Sequence, residues 1–255
     1  MPYRILKSVI DYCIYNKKFF ALIVVLLFFS ALFQSFVAYS ESFLVWILLQ
    51  TLVFVVVSGY GMLITRSRIR HGVRLPKIEI KKIIVLGIKS SVVMGIYFAV
   101  QSLILGFVSA FLNFPAFDLE DMLLEFPETL HMLYSHNPVE TIIFVVAGII
   151  IFYITTFFME IALAKLADTN SFLSAFDLKS IKRSIDVVGW RNYAKEYTMI
   201  IFVIVALSYV ASQDFPFVFL DLIVSMILSF IIFVTQYFGI GKIYCEIKEL
   251  ESKMS

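Results

Sequence analysis

The chain has 255 residues, of which 61% are hydrophobic and only 16% are charged, and its mean hydropathy is +0.93. A soluble domain is roughly 45–50% apolar and about 25% charged, so this chain has more apolar side chains than a water-surrounded core can bury. The composition excludes a soluble enzyme, a secreted disulfide scaffold, a disordered tail and a nucleic-acid-binding module, and it predicts an integral membrane protein.

Six apolar runs have the length and composition of membrane-spanning helices, which need about 20 mostly apolar residues. They lie at 19–39, 43–64, 83–111, 141–163, 198–212 and 217–240. The fifth run is short and borrows residues 193–197, and the third is long enough to tilt or kink. We expect one all-α transmembrane domain over 1–255, a polytopic integral membrane helix bundle with about six transmembrane helices in three hairpins. The first run is too long for a signal peptide, and we expect it to be retained.

The basic residues mark one side of this arrangement. Of the 21 Lys and Arg, 20 lie before the first run, between the second and third, between the fourth and fifth, or after the sixth. Basic loops stay on the cytoplasmic side, so we expect a cell-membrane protein with both termini and the basic loops 65–82 and 164–197 in the cytoplasm. The opposite side has nine acids and no Lys or Arg, and six of those acids lie in the acidic outer loop 112–140.

A short basic, amphipathic stretch precedes each predicted hairpin, at 3–18, 75–83 and 178–196. Such helices lie in the membrane interface with their cations among lipid head groups, so we expect amphipathic interfacial helices here. The alternative is that any inner loop collects basic residues. The partners we expect are the lipid bilayer and anionic head groups on the cytoplasmic side, with no nucleic acid, and protein partners or a homo-oligomer stay open. The candidate head-group contacts are Arg66, Arg68, Arg70, Arg74, Lys77, Lys81 and Lys82.

Two ionisable residues lie inside the predicted spans at similar depth. Lys89 is six residues into the third run and Glu160 lies near the inner end of the fourth. Buried ionisable groups are functional candidates because they are costly in lipid. We consider Lys89 and Glu160 a candidate intramembrane polar pair and favour a structural role over transport.

Small residues recur at every fourth position of the third run, which predicts that this helix is central in the bundle. They are Gly87, Ser91, Gly95 and Ala99, followed on another face by Ser102, Gly106 and Ala110. The alternative is a substrate path along this stripe.

The sequence shows no pattern that enzyme or metal chemistry requires. It has no Walker loop, GxSxG, HExxH or CxxC motif. His131 and His136 of the outer loop are five residues apart and do not share a helix face, so we expect a solvated acidic loop rather than a metal site. Cys13 and Cys245 are isolated thiols without an expected disulfide. We therefore expect no catalytic residue, no cofactor-binding site and no metal site, and a protein that is not an enzyme.

Two groups of residues resemble a prokaryotic, largely archaeal, polytopic membrane protein family known only as a domain of unknown function. They are Gly59-Tyr60, Leu75-Pro76, Gly87 and Tyr97, and then Ala162-Leu163-Ala164 and Ala175-Phe176-Asp177. The resemblance implies a multi-span architecture and no catalytic activity. This chain departs from the family in having Lys77-Ile78-Glu79 after the Leu-Pro, where acids are common, and in lacking a proline near Met159.

The same residues have structural interpretations of their own. Pro76 suits the first turn of an interfacial helix, where its missing N–H costs nothing. Phe176 is expected to act as an apolar anchor and Asp177 as the N-cap of a helix over 178–188.

Three functions are compatible with the sequence. The first is a non-enzymatic membrane component that binds lipids or partner proteins through its basic cytoplasmic face. The second is a permease or channel for a small neutral or amphipathic solute. A lipid-modifying enzyme is the least favoured, because no acid, base or nucleophile stands out.

Overall fold

The structure, a computed structural model, describes residues 7–12, 43–72, 74–112, 131–135, 137–213 and 218–254. All regular secondary structure in these ranges is helical. Five helices are long and apolar enough to cross a membrane: Leu48–Ile69, Ile80–Phe111, Pro138–Thr169, Trp190–Ala211 and Ile223–Lys253. The predicted all-α membrane bundle is thereby confirmed. The run 19–39 and most of the acidic outer loop lie outside the described residues.

Five long helices and one short helix follow one another along the described part of the chain. The first three are α1 over Phe43–Ile69, α2 over Ile80–Phe111 and α3 over Pro138–Thr169. A 3₁₀ turn at Leu173–Ala175 leads to α4 over Leu178–Val188, α5 over Trp190–Ala211 and α6 over Val218–Met254. Residues 7–12 and 131–135 are also helical.

Two helices continue well beyond the apolar runs that predict them. α3 ends at Thr169 rather than at 163, and α6 ends at Met254 rather than at 240. At 1.5 Å per residue α6 is about 55 Å long, whereas the hydrocarbon core is about 30 Å thick. Part of the added length is covered by protein, since Leu166 and Ile247 are fully buried, whereas Lys248, Glu249 and Leu250 at the end of α6 are exposed.

The chain forms two compact units. The first comprises Met1–Val93 and Glu160–Ser255, and the second comprises Met94–Met159. In the first unit α6 packs along α1, α5 and α4. Its fully buried side chains come from all of these helices and from the end of α3, and they include Met62, Ile161, Ile181, Tyr193 and Phe230.

The second unit contains the remaining parts of α2 and α3. Its helices expose large apolar side chains such as Ile104, Phe107, Ile149 and Phe152. Side chains of this kind are the expected covering of a helix in contact with lipid tails, which are as apolar as leucine.

Two glycines allow α1 and α2 to cross at close range. A Cβ atom added to Gly59 would lie 2.0 Å from the carbonyl oxygen of Ile83, and one added to Gly87 would lie 2.0 Å from that of Val55. Close beside this crossing, the hydroxyl of Tyr60 donates to the carbonyl oxygen of Pro76, 3.1 Å away. Residues that carry the family resemblance therefore form one inter-helix contact.

The small-residue stripe on α2 is a packing surface only in part. Among the described residues, no atom lies within 4 Å of a Cβ added to Gly95 or Gly106, in contrast to Gly87. The four-residue spacing thus identifies one close crossing and two positions that have open space.

The three amphipathic stretches differ from their predicted form. Residues 75–79 are not helical, and α2 begins only at Ile80. Pro76 disfavours helical backbone at Leu75, and its carbonyl oxygen accepts a hydrogen bond from the hydroxyl of Tyr60. The third stretch is divided at Gly189, whose φ of 86° ends α4. In the first stretch, Val9 and Tyr12 are buried by the protein itself.

The predicted helix over 178–188 is confirmed, including its cap. Asp177 is the N-cap of α4, and its carboxylate accepts a hydrogen bond from the backbone N–H of Ser180 at 3.1 Å. The helix is amphipathic, but Ile181 and Ile185 on its apolar face are each 0% exposed. The apolar face of α4 therefore packs on the protein instead of entering lipid.

Candidate functional site

The chain reverses direction between α1 and α2 through a well-defined turn. The N–H of His71 donates to the carbonyl of Arg68 at 3.0 Å, and the N–H of Gly72 donates to that of Ser67 at 2.8 Å. These two bonds form a Schellman motif, which satisfies carbonyls at the end of α1. Its left-handed position is occupied by His71, with φ at 58°, where glycine is the usual residue.

Four of the seven predicted head-group contacts are exposed, and together we call them the basic surface. Its members are Arg70, Arg74, Lys77 and Lys81. None of the four side chains forms an ion pair with an acid in the described part of the chain. Beside them, at the first turn of α2, Ile80 is 69% exposed. Segments that lie at a membrane interface typically expose basic side chains beside apolar ones.

The other three predicted contacts have protein neighbours. The guanidinium of Arg68 lies over the ring of Phe238, 5.0 Å from its centroid, and Lys82 pairs with Glu79 at 2.7 Å. Arg66 and Arg68 are half-buried, and the Nε atoms of both are buried without a hydrogen-bond partner among the described residues. These cations take part in packing and pairing within the protein, and four of the seven predicted contacts are exposed without an ion pair to a described acid.

Lys89 and Glu160 do not form the pair that their depth predicts. Lys89 Nζ donates to the carbonyl oxygen of Asn170 at 2.7 Å and lies 3.2 Å from its Oδ1. Glu160 Oε1 accepts from Gln236 Nε2 at 3.2 Å. The reason is the length of the lysine stem, which carries the ammonium out of the span to the end of α3, where a cation compensates the helix dipole.

The carboxyl group of Glu160 is enclosed by the bundle. The residue is 6% exposed, and its Oε2 atom has no hydrogen-bond partner among the described residues. Nearby, Thr65 Oγ1 donates to the carbonyl of Tyr237 at 3.0 Å and ties α1 to α6. Polar side chains thus connect α6 to both α1 and α3, as inter-helix hydrogen bonds do in membrane bundles.

A cavity of about 430 Å³ opens beside the end of α4, the start of α5 and the end of α6. Its charged lining consists of Lys195, Glu196, Lys242 and Glu246. Lys242 and Glu246 are 3.9 Å apart on α6. Most of the lining lies before residue 198 or after residue 240 and therefore outside the predicted spans.

One group of potential ligands is not predicted from the sequence. Cys245, Glu249 and His71 lie close together although the histidine is 174 residues from the cysteine. The Cys-x-x-x-Glu spacing that puts two of them on one helix face is visible in the sequence. The third residue, His71, reaches the other two only because α1 packs against α6. Of the two histidines considered earlier, His131 is exposed, and His136 lies outside the described residues.

A family model described as a protein of unknown function, DUF4013, matches residues 42–213. The match covers α1 through α5. No curated protein and no solved structure matches the chain.

Proposed function

Because the chain belongs to the DUF4013 family, whose description names no activity, we propose a function from its own side chains. We propose that it is a non-enzymatic component of the cell membrane that binds anionic lipid head groups at a cytoplasmic face. The observation that carries this proposal is the basic surface of Arg70, Arg74, Lys77 and Lys81, which is exposed and has no ion pair to a described acid.

The position of these four cations suits anionic lipid. Three of them lie between two helices that are long and apolar enough to cross a membrane, and Lys81 lies in the first turn of the second helix. Each cation near an anionic surface contributes about 1 kcal/mol of attraction. Four cations that pair with no described acid can direct their charge toward phosphate groups, whereas Arg68 and Lys82 direct theirs toward Phe238 and Glu79.

The test uses the full chain purified in detergent. Phosphatidylglycerol and phosphatidylcholine are added separately, and bound lipid is measured by native mass spectrometry. We expect phosphatidylglycerol to bind at least about tenfold more tightly, and the variant R70Q/R74Q/K77Q/K81Q to lose most of this preference.

The matched control removes three other exposed cations, in the variant K179Q/K182Q/R183Q on α4. It is expected to keep the preference for phosphatidylglycerol. Equal binding of the two lipids by the wild type, or equal loss in both variants, would contradict a head-group site at the basic surface.

Permeation of a small neutral or amphipathic solute ranks second. The cavity beside α4, α5 and α6 has the volume of a small-molecule site. Its lining includes neither Lys89 nor Gln101, and most of it lies beyond the predicted spans, so its placement favours a binding pocket at one end of the bundle over a path through it.

A further inference from the structure

We propose that His71, Cys245 and Glu249 bind a divalent transition-metal ion of the zinc class. Cys245 Sγ lies 3.6 Å from His71 Nδ1 and 3.7 Å from Glu249 Oε1, and Nδ1 lies 3.9 Å from the same Oε1. Three different donor atoms, contributed by two separate elements, therefore form a nearly equilateral triangle.

The size of this triangle fits a tetrahedral metal. With metal–sulfur bonds of about 2.3 Å and metal–nitrogen and metal–oxygen bonds of about 2.0–2.1 Å, two ligands at the tetrahedral angle are about 3.3–3.6 Å apart. Contractions of a few tenths of an ångström would bring all three atoms to these separations. The imidazole can adjust, because the side chain of His71 is 69% exposed and Cys245 Sγ is 3.9 Å from its other ring nitrogen.

The ligand set also balances the charge of the ion. A thiolate, a carboxylate and a neutral imidazole together contribute two negative charges to a dication. Binding the metal displaces the thiol proton of Cys245, which passes to solvent.

The burial of the three residues leaves one coordination position accessible. Cys245 is 5% exposed, whereas the side chains of His71 and Glu249 are 69% and 52% exposed. The ion would thus rest on the protein through sulfur and face solvent on the opposite side, where water supplies a fourth ligand. Three protein ligands and one open position form a recurrent zinc arrangement.

The backbone at His71 determines where the imidazole lies. His71 has φ at 58° at the left-handed position of the Schellman turn that ends α1. The turn presents the imidazole to the face of α6 that bears Cys245 and Glu249.

A catalytic cysteine–histidine–carboxylate triad fits the same residues less well. A triad needs the histidine between the other two groups, with one ring nitrogen facing each. Here the carboxylate contacts the sulfur directly at 3.7 Å, and the sulfur is buried away from substrate. Mutual contact among all three donors is the geometry of ligands around one ion.

The test measures metal bound to the full chain, purified without a polyhistidine tag. After incubation with Zn²⁺ and gel filtration we expect one zinc per chain by elemental analysis. Co²⁺ is expected to give a thiolate-to-cobalt charge-transfer band in the near ultraviolet. Zn²⁺ is also expected to raise the midpoint of thermal unfolding, because an ion that binds only the folded state stabilises it.

Three variants remove one ligand each: H71G, C245A and E249Q. We expect each to weaken Co²⁺ binding by at least about tenfold and to abolish the thermal shift with Zn²⁺. H71G keeps the fold, because glycine is favoured at the left-handed position of the α1 turn. The matched controls are E246Q, one residue from Cys245, and C13S, and both are expected to bind like the wild type.

Three results would overturn the proposal. One is the absence of stoichiometric zinc on the wild type. Another is cobalt binding without the thiolate band. The third is wild-type affinity in H71G, which would show that the ion does not use the turn after α1.

Discussion

The ammonium of Lys89 acts on the end of a neighbouring helix. Asn170 follows the last residue of α3 and has φ at 58°. Lys89 donates to its carbonyl oxygen, an acceptor that the helix cannot satisfy. Lys89 thus caps the end of α3, although its position in the sequence places it inside a predicted span.

The different partners of Lys89 and Glu160 lead to a quantitative prediction. Lys89→Met removes two charge-assisted hydrogen bonds to Asn170 at a partly exposed site and is expected to lower the free energy of unfolding by about 1 kcal/mol. When it is combined with Glu160→Gln, the two effects are expected to add within about 0.5 kcal/mol. Denaturant unfolding in mixed micelles measures all four members of the cycle.

The positive control for this cycle is Glu160→Gln combined with Gln236→Leu. These side chains are hydrogen-bonded at 3.2 Å, so their effects should not add, with a coupling of about 0.5–3 kcal/mol. A coupling of that size between Lys89 and Glu160 would restore the pair expected from the sequence.

At the scale of elements, the close crossing of α1 and α2 depends on two glycines, which have no side chain. At Gly59 and at Gly87, a backbone carbonyl of the other helix occupies the space that a side chain would fill. In lipid the hydrophobic effect contributes little to the association of helices, so close packing of their backbones contributes strongly.

Gly87→Ala tests this crossing. Its new Cβ would lie 2.0 Å from the carbonyl oxygen of Val55, so the helices must separate, and we expect a loss of about 2–3 kcal/mol. Gly95→Ala and Gly106→Ala are the matched controls on the same helix, because a Cβ there meets no described atom within 4 Å. Thermal unfolding in detergent compares them, and equal losses at all three positions would refute the crossing.

The cap of α4 gives a second prediction at this scale. Asp177→Ala removes the acceptor for the Ser180 N–H and is expected to cost about 1 kcal/mol. Asp177→Asn keeps an acceptor at the same position and should retain most of that stability. Amide hydrogen exchange over 178–188 measures the local effect. Faster exchange in both variants would show that the carboxylate charge, rather than the cap, stabilises the helix.

At the scale of the whole molecule, the distribution of charge predicts which segments face each side of the membrane. In intact cells carrying the C13S background, a membrane-impermeant maleimide is expected to label Ser135→Cys and to leave Lys77→Cys unlabelled. Cys245 contributes little signal because it is 5% exposed. Permeabilised cells should show labelling at both positions. The reverse pattern in intact cells would invert the orientation.

Hydropathy predicts the helices well because the apolar runs are long and continuous. It misplaces the ends of α3 and α6, where neighbouring helices bury polar turns that a hydropathy average assigns to water. Lys165, for example, is 7% exposed and hydrogen-bonded to Ser180. Burial at these helix ends results from tertiary packing, which a hydropathy average along the sequence does not describe.

The candidate sites were predictable to different extents. Asp177 was identified as a cap because capping depends on adjacent residues. Seven basic residues predict a cytoplasmic basic face from their sequence positions, whereas the packing of Arg68 on Phe238 is not visible in the sequence because it joins positions 170 residues apart. The partners of Lys89 and Glu160 and the grouping of His71 with Cys245 depend on long-range contacts in the same way.

The helix α6 lies beyond the region 42–213 by which the family is recognised. It nevertheless packs along α1, α4 and α5, and it contributes the fully buried Phe230, Val234 and Ile247. A fragment that stops at residue 213 would leave the side chains opposite those residues without cover. The segment that sequence comparison detects is therefore shorter than the segment that folds, and expression fragments of related proteins should be designed to retain the helix that follows the match.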